Sequence, residues 1–468
     1  MSKVIWQKPS DVVVLQNENN TYRIFHRISG KSFELCHAQT QAWFDGNLAG
    51  LSNIADEMRE AGIAEEIVEP PFFSHLLDDL LPSVSPHWVR FYNESPELTI
   101  LFNTQSMCEK NPLLVLGPYG SVVWRCIIDG AKIGEIRAHV LYLFGADEVL
   151  PFLARLMRLG FLTPLEQVLN ISLDEQKLIK EFNTPDIQFM ISHSRIPWYC
   201  LWEITTICDS RCQICYLNDY QNPGPQGNEL DEVIDQIDHA GIFYITLLGG
   251  EALLRNDLEE IVARLRNANI FVKLITNGLT LTPNRATALA KAGLNHIEIS
   301  FDGLTNISHE KSRSPGTFNK AEQSLRVAQE SGIPRVGMVF TLHSQSIDDL
   351  PSLPVFMKEH GINECYLSLF RKTGLMGNQS TITPVSMDKL SSANLMMASW
   401  HNNYPDLTIA LLSICTCGRT SVVIGADMAL RPCPFSYESA VGNLKHDSLA
   451  NLWARMGENA RAGTLWCR

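Results

Sequence analysis

The sequence has no uncharged apolar run of the ~18 residues that a membrane-spanning helix needs. Its opening, MSKVIWQKPSDVVV, lacks the apolar core and cleavage site of a signal peptide. These absences predict a cytoplasmic protein with no membrane partner. Positive charge is scarce: 38 Lys and Arg stand against 51 Asp and Glu, a formal charge of -13. That balance argues against a general binder of nucleic-acid phosphates. With 45% hydrophobic and 19% charged residues the composition is that of a globular protein. A chain of 468 residues exceeds what one core usually organises, so two to four domains are expected.

Cysteine, in contrast, is plentiful. Twelve cysteines in a cytoplasmic chain point to metal ligation or redox chemistry before a disulfide framework. Cys208, Cys212 and Cys215 crowd one short stretch, and Cys415, Cys417 and Cys433 another. Any of the rest, taken alone, reads as a small buried hydrophobe.

The first ~165 residues carry a weak internal duplication. In one copy, β-type alternation over Tyr22 to Phe33 precedes Trp43 and a helical stretch from Leu51 to Gly62. The other runs from Leu113–Leu116 through Trp124 to a helix ending near Leu162. Each copy reads as a short hairpin followed by helices with apolar residues at i, i+3 and i+4, a small winged-helix-like unit. Neither copy has a basic helix, so an exposed strand edge that accepts a peptide is favoured over nucleic-acid binding. Trp43 and Trp124 read first as core residues. A linker spans Asn183 to Pro197.

From Trp198 the pattern changes to β-rich runs alternating with amphipathic helices. Strands are predicted over Tyr199–Thr205, Tyr244–Leu248, Phe271–Thr276, His296–Phe301, Arg335–Leu342 and Glu364–Phe370. Helices are predicted over Leu230–Ala240, Asp257–Ala268, Thr282–Ala292, Asn319–Ser331 and Ser346–His360. Such alternation implies parallel strands with right-handed crossovers and a site at their carboxyl ends.

Cys208-Asp-Ser-Arg-Cys212-Gln-Ile-Cys215-Tyr216 follows the first of these strands directly. Three thiolates on a cubane of four irons leave one iron open to a ligand that is not protein. A zinc site or three unrelated thiols is the other reading. Zinc sites usually pair C-x-x-C units with a fourth ligand, and the nearest histidines, His193 and His239, lack that spacing. Gly249-Gly250-Glu251 ends the second strand, Thr276-Asn277-Gly278 the third and Ser300-Phe301-Asp302-Gly303 the fourth. Taken singly, the last two are common turns.

In their order, these motifs resemble the radical S-adenosylmethionine (SAM) superfamily. The resemblance covers residues 198–468 well and residues 1–165 loosely. It implies a 4Fe-4S cluster on Cys208, Cys212 and Cys215, with the open iron chelated by SAM and reductive cleavage to methionine and a 5'-deoxyadenosyl radical. Gly249, Gly250, Glu251, Asn277, Ser300, Asp302, Arg313 and Tyr216 match cofactor-binding positions. Glu251 would accept from the SAM ammonium, Ser300 would lie near the ribose or carboxylate, and Arg313 would pair with the carboxylate. Ala252 replaces the proline usual after the Gly-Gly-Glu.

The tail, with Cys415, Cys417, Cys433 and Cys467, resembles the SPASM or shorter twitch extension of radical SAM peptide maturases and implies one auxiliary 4Fe-4S cluster. Structural zinc is the alternative there. The duplicated N-terminal units resemble peptide-recognition domains of ribosomal-peptide maturases.

The expected fold is therefore α/β: a partial (β/α)6 TIM-type barrel over 190–380, preceded by winged-helix-like units over 1–80 and 81–182 and followed by an auxiliary-cluster domain over 381–468. The expected function is radical modification of a precursor peptide or small protein, forming a thioether or carbon-carbon crosslink or epimerising an α-carbon. An external flavodoxin- or ferredoxin-type donor would supply electrons. Cys365 would serve as hydrogen donor if its face of the sixth strand points into the barrel; an inert buried cysteine is the competing reading. Alternatives are a sulfatase-type maturase, a small-molecule radical SAM enzyme, and a non-catalytic iron-sulfur sensor that binds DNA.

Overall fold

The computed structural model describes residues 80–84, 89–95, 98–103, 113–144, 149–165, 168, 193–411 and 416–461, together with five short strands before residue 68. Trp43, the predicted helix from Leu51 to Gly62, Cys415 and Cys467 lie outside the described residues, as does most of the predicted linker. The described residues fall into two compact units, one within residues 1–184 and one from residue 185 onwards.

The first unit holds three small antiparallel sheets. Ile5–Gln7 (β1) pairs with Glu65–Ile67 (β5), and Val12–Gln16 (β2), Tyr22–His26 (β3) and Ser32–Leu35 (β4) form a meander. A second meander joins Val89–Ser95 (β6), Leu98–Asn103 (β7) and Leu113–Leu116 (β8). Helices Pro118–Ile128, Ile133–Phe144 and Val149–Arg158 follow. Pro118 suits a first helical turn, whose N–H groups have no partner within the helix. Trp124 is fully buried with Leu101, Val123, Ile136 and Phe152, and packs edge-on to Phe91 at 5.7 Å, so it is a core residue.

In the second unit, a run of parallel strands alternates with helices. The strands are Tyr199–Thr205 (β9), Tyr244–Gly249 (β10), Phe271–Thr276 (β11), His296–Phe301 (β12), Arg335–Leu342 (β13) and Glu364–Leu369 (β14). Each pairs in parallel with the next, in chain order. Their bounds match the expected ones to within one residue. The helices arise where apolar residues recur on one stripe: Leu230, Val233, Ile234 and Ile237 are the buried residues of Asn228–His239. Leu258, Ile261, Val262 and Leu265 repeat that spacing in Leu258–Asn267.

The expected single helix over Ser346–His360 is instead a 3-10 segment, Ile347–Ser352, followed by a helix, Leu353–Glu359. Pro351 interrupts the first and Pro354 lies in the first turn of the second, which is what a residue without an N–H dictates.

The tail joins the same sheet. Thr408–Leu411 (β15) adds in parallel to β14, and Ser421–Ile424 (β16) adds in parallel to β9 at the other edge. Ala429–Arg431 (β17) and Gly442–Asn443 (β18) continue outward, making ten strands in all. Helix Leu449–Arg461 packs back, with the Trp453 indole donating to the Ser194 carbonyl at 2.8 Å. Among the described residues, no helix is long and apolar enough to cross a membrane.

Candidate functional site

The faces of the barrel strands decide which side chains can reach a site. Residues sharing a register position in a parallel sheet share a face, and alternate residues point oppositely. Phe301 packs on Phe318 and Phe356, which belong to covering helices, so the Phe301 face is the helix side. The register Ile299↔Met338↔Cys365 puts Cys365 on that side, fully buried in the core. Cys365 therefore does not point into the barrel, and the condition under which it would donate hydrogen to a substrate is not met.

The opposite, inward face carries Tyr199, Tyr244, Lys273, His296, Glu298, Arg335, Glu364 and Tyr366 near the amino ends of the strands. Arg335 donates to both Glu364 oxygens at 2.9 and 2.5 Å, and Lys273 pairs with Glu298 at 3.1 Å. Tyr244 stacks on Phe271 at 4.9 Å. These residues make a polar cluster at the amino ends, in which His296, Glu298 and Arg335 are buried. Ser300 lies on the inward face nearer that upper end, partly exposed.

At the carboxyl ends, the loop carrying Cys208, Cys212 and Cys215 is held from several strands at once. The β10 end closes on it: Gly250 N–H donates to the Thr205 carbonyl and Glu251 N–H to that of Ile207, both at 2.8 Å. A Cβ on Gly249 would sit 2.1 Å from the Thr205 oxygen, and one on Gly250 2.3 Å from that of Ile207. The glycine pair is thus required by backbone approach.

The Glu251 carboxylate is buried and accepts from Thr276 Oγ1 at 2.6 Å, Asn277 N at 2.8 Å and Leu253 N at 2.9 Å. Burial pushes this carboxyl up to about 7 despite those bonds. Asn277 Nδ2 in turn donates to Asp209 at 2.7 Å, inside the cysteine loop. The Gly-Gly-Glu and Thr-Asn-Gly motifs and the thiols therefore form one hydrogen-bonded assembly.

From β12, Asp302 is fully buried and accepts from Arg313 Nε at 2.5 Å and Nη2 at 3.4 Å, and from Ser312 Oγ at 3.2 Å. Arg313, expected at the SAM carboxylate, spends these two donors on Asp302. The loop after β14 approaches from the far side. Leu375 N–H donates to the Leu217 carbonyl at 2.8 Å and Gly377 N–H to that of Cys215 at 3.1 Å. Gly374, at φ +77°, lies so close that a Cβ would sit 2.3 Å from the Tyr216 backbone.

Burial pushes Cys208 up to about 12 and Cys212 up to about 11, with Arg313 pulling Cys212 the other way. Metal binding would have to displace their protons. Among the described residues, no three His, Cys, Asp or Glu side chains converge as ligands of a single ion. Soft thiolates on one loop, one for each of three cubane corners, suit an iron-sulfur cluster.

Tyr216, directly after Cys215, packs edge-on against Phe435 at 5.7 Å, and its hydroxyl lies beside Glu203. Glu203 accepts from Arg431 at 2.5 Å, both side chains being about 1% exposed. Arg431 also covers the Tyr437 ring at 4.0 Å. The tail segment that carries Cys433, itself buried, is thereby fastened to the cysteine loop and to β9. Cys417 is partly exposed and bridges in strand-like fashion to Ser421.

Sequence reasoning missed several positioning residues. Arg255 donates to the carbonyls of Ile204 (2.7 Å), Pro223 (3.0 Å) and Pro225 (2.9 Å), stapling the loop beyond the cysteines. Gln213 ties the cysteine loop to the turn after β12, its backbone N–H donating to the Ser312 carbonyl at 2.7 Å and its side chain to that of Lys311 at 2.9 Å. Proximity to the glycine and cysteine motifs was the one signal that could have found them.

Comparison with known proteins agrees with this geometry. Residues 202–353 match the family model described as the radical SAM superfamily. The mycofactocin maturase MftC of Mycobacterium tuberculosis is 28% identical over 165 residues, 35% of this chain and 42% of that protein. The pre-heme d1 synthase of Dinoroseobacter shibae is 29% identical over 171 residues, 36% and 42% respectively. The chain thus spans less than half the length of these curated relatives. The crystal structure of Streptococcus suis SuiB bound to precursor peptide SuiA is similar at a TM-score of 0.57 and 14% identity, over 80% of this chain and 88% of that one. At that identity the likeness is one of fold alone, a mixed α/β arrangement around a parallel sheet. Family match, fold and the motif assembly around the three thiols agree, and residues 202–353 of this chain are a radical SAM domain.

Proposed function

We propose that the chain is an enzyme that modifies a ribosomally made precursor peptide or small protein by radical chemistry. The observation that carries this reading is the single cysteine loop held at the barrel mouth by the glycine, Thr-Asn-Gly and Asp302 motifs together. A 4Fe-4S cluster on Cys208, Cys212 and Cys215 with bound SAM would supply a 5'-deoxyadenosyl radical able to take hydrogen from an unactivated carbon.

The chain's own residues would do the rest. Glu251 has one oxygen, Oε2, carrying a single described hydrogen bond, and that oxygen is the acceptor for the SAM ammonium. Ser300, on the inward face, faces the ribose or carboxylate. Gly249 and Gly250 let Glu251 stand this near to the thiols. Fold likeness to SuiB, solved with a precursor peptide, and similarity to MftC, named a maturase, support a peptide substrate.

The winged-helix-like units over 1–80 and 81–182 would recognise it, the barrel over 190–380 would act on it, and the tail over 381–468 would hold one auxiliary cluster with Cys415, Cys417, Cys433 and Cys467. Product outcomes are a thioether or carbon-carbon crosslink, or epimerisation. A flavodoxin- or ferredoxin-type donor and a cytoplasmic location, with neither nucleic acid nor membrane as partner, complete the reading.

Similarity to a pre-heme d1 synthase favours a second reading, a small-molecule substrate of tetrapyrrole type. Anaerobic co-expression with the short reading frames flanking the gene, followed by peptide mass analysis, separates the two. A loss of two hydrogens marks a crosslink, and one deuterium taken from heavy water at otherwise unchanged mass marks epimerisation. Unmodified peptides alongside turnover of a tetrapyrrole would overturn the peptide reading.

A further inference from the structure

A continuous chain of contacts runs from β12 to the cysteine loop. Asp302 anchors Arg313 and Ser312 by three hydrogen bonds. Residues 309–313 form a tight turn, with the N–H groups of Ser312 and Arg313 both donating to the His309 carbonyl. The Lys311 and Ser312 carbonyls then receive the side-chain and backbone N–H groups of Gln213, which lies between Cys212 and Cys215. Gly303 makes the close return possible, because a Cβ there would sit 2.3 Å from the His309 nitrogen.

We propose that Asp302 and Arg313 form a charge-balanced mount for the cysteine loop, in which Asp302 holds the Arg313 guanidinium against the thiolate side of the site. This rests on the reading of Cys208, Cys212 and Cys215 as ligands of a 4Fe-4S cluster. Two independent observations carry it. Through Ser312 and Gln213, the turn bearing Arg313 is bonded directly to the loop. Of the guanidinium's nitrogens, Nε and Nη2 are already committed to a fully buried carboxylate, so the group is fixed in place before any ligand arrives. Its charge acts on Cys212 and Cys208.

A fixed positive charge beside a thiolate-ligated cluster favours the reduced state, because net charge and nearby dipoles set such potentials. Asp302 limits that effect by balancing the charge. Arg313 and Asp302 are thus positioning residues for electron uptake, and the guanidinium has work to do before SAM binds.

The test is a dye-mediated redox titration of the full chain, reconstituted anaerobically and read by electron paramagnetic resonance with no SAM added, the signal that Cys208→Ala loses being taken as that of the loop cluster. Arg313→Gln is expected to shift the midpoint potential negative and Asp302→Asn to shift it positive. The double variant should fall near the wild-type value, as should Arg313→Lys. Iron per chain is measured in parallel, and both single variants should load less cluster than Arg313→Lys. An unmoved potential in Arg313→Gln, together with weakened SAM binding, would assign Arg313 to SAM alone and overturn the mount. Absence of any cluster signal in the wild type would sink the ligand assignment and the mount with it.

Discussion

Removing the Arg431 cation tests how the tail is fixed to the barrel. Arg431 and Glu203 form a buried pair across β17 and β9, and Gly425 lacks a side chain where a Cβ would come within 2.3 Å of the guanidinium. Burial pushes the Glu203 carboxyl up to about 7, with Arg431 and Tyr216 pulling the other way. Above pH 7, where the carboxyl ionises, Arg431→Met leaves it buried without its cation, which costs about 3–5 kcal/mol. At ~1.4 kcal/mol per factor of ten, the opening equilibrium of the tail strands should rise by about two to three and a half orders of magnitude.

Native-state hydrogen exchange at Val422–Ile424 reads this directly. The sign of the pH dependence follows from the carboxyl. Its folded pKa lies above its ordinary 4.5, so the charged form is penalised in the fold and the penalty vanishes as pH falls. Without the cation that pKa rises further, so the deficit against the wild type should be small at pH 7 and below and grow as the pH is raised above 7. Glu203→Gln combined with Arg431→Met should recover most of the protection, since no bare charge remains. Unchanged protection in Arg431→Met, or a double variant worse than the single, would refute the reasoning.

Gly374→Ala should cut the iron retained per chain after reconstitution, because its Cβ would overlap the Tyr216 backbone and its φ is left-handed; wild-type iron content would contradict this. Cys365→Ala should leave product formation intact at a modest loss of stability, since the thiol faces the helices. Loss of product with normal folding would return it to the chemistry. Arg255→Lys should lose most of the three-carbonyl staple and raise hydrogen exchange in the loop after Cys215, whereas wild-type exchange would show the staple to be dispensable.

The six barrel strands and their helices were legible because two periods, 2 and 3.6, are written locally in residues such as Leu230, Val233, Ile234 and Ile237. The cysteine, Gly-Gly-Glu and Thr-Asn-Gly motifs were legible because each ends a strand, which places them at one mouth. Which way Cys365 points was not: strand alternation gives two faces, and only Phe301 against Phe318 and Phe356 says which one is covered by helices. The tail strands escaped for a related reason. Four residues, Ser421–Ile424, are too short for a periodic signal, and their pairing with β9 spans more than two hundred residues of chain. Glu203 and Arg431 read singly as ordinary charges, and burial alone makes them a pair. Gln213 and Arg255 carry no motif; their roles come from carbonyls that only the folded loops bring within reach.

The central claim is that the three thiols at the barrel mouth hold a cluster that reductively cleaves SAM. Anaerobically reconstituted chain, reduced with dithionite and given SAM, should yield 5'-deoxyadenosine by liquid chromatography and mass spectrometry, and Cys208→Ala, Cys212→Ala and Cys215→Ala should each abolish it. Wild-type protein that binds zinc in that loop and forms no 5'-deoxyadenosine, or a Cys212→Ala variant that forms as much as wild type, would contradict the account.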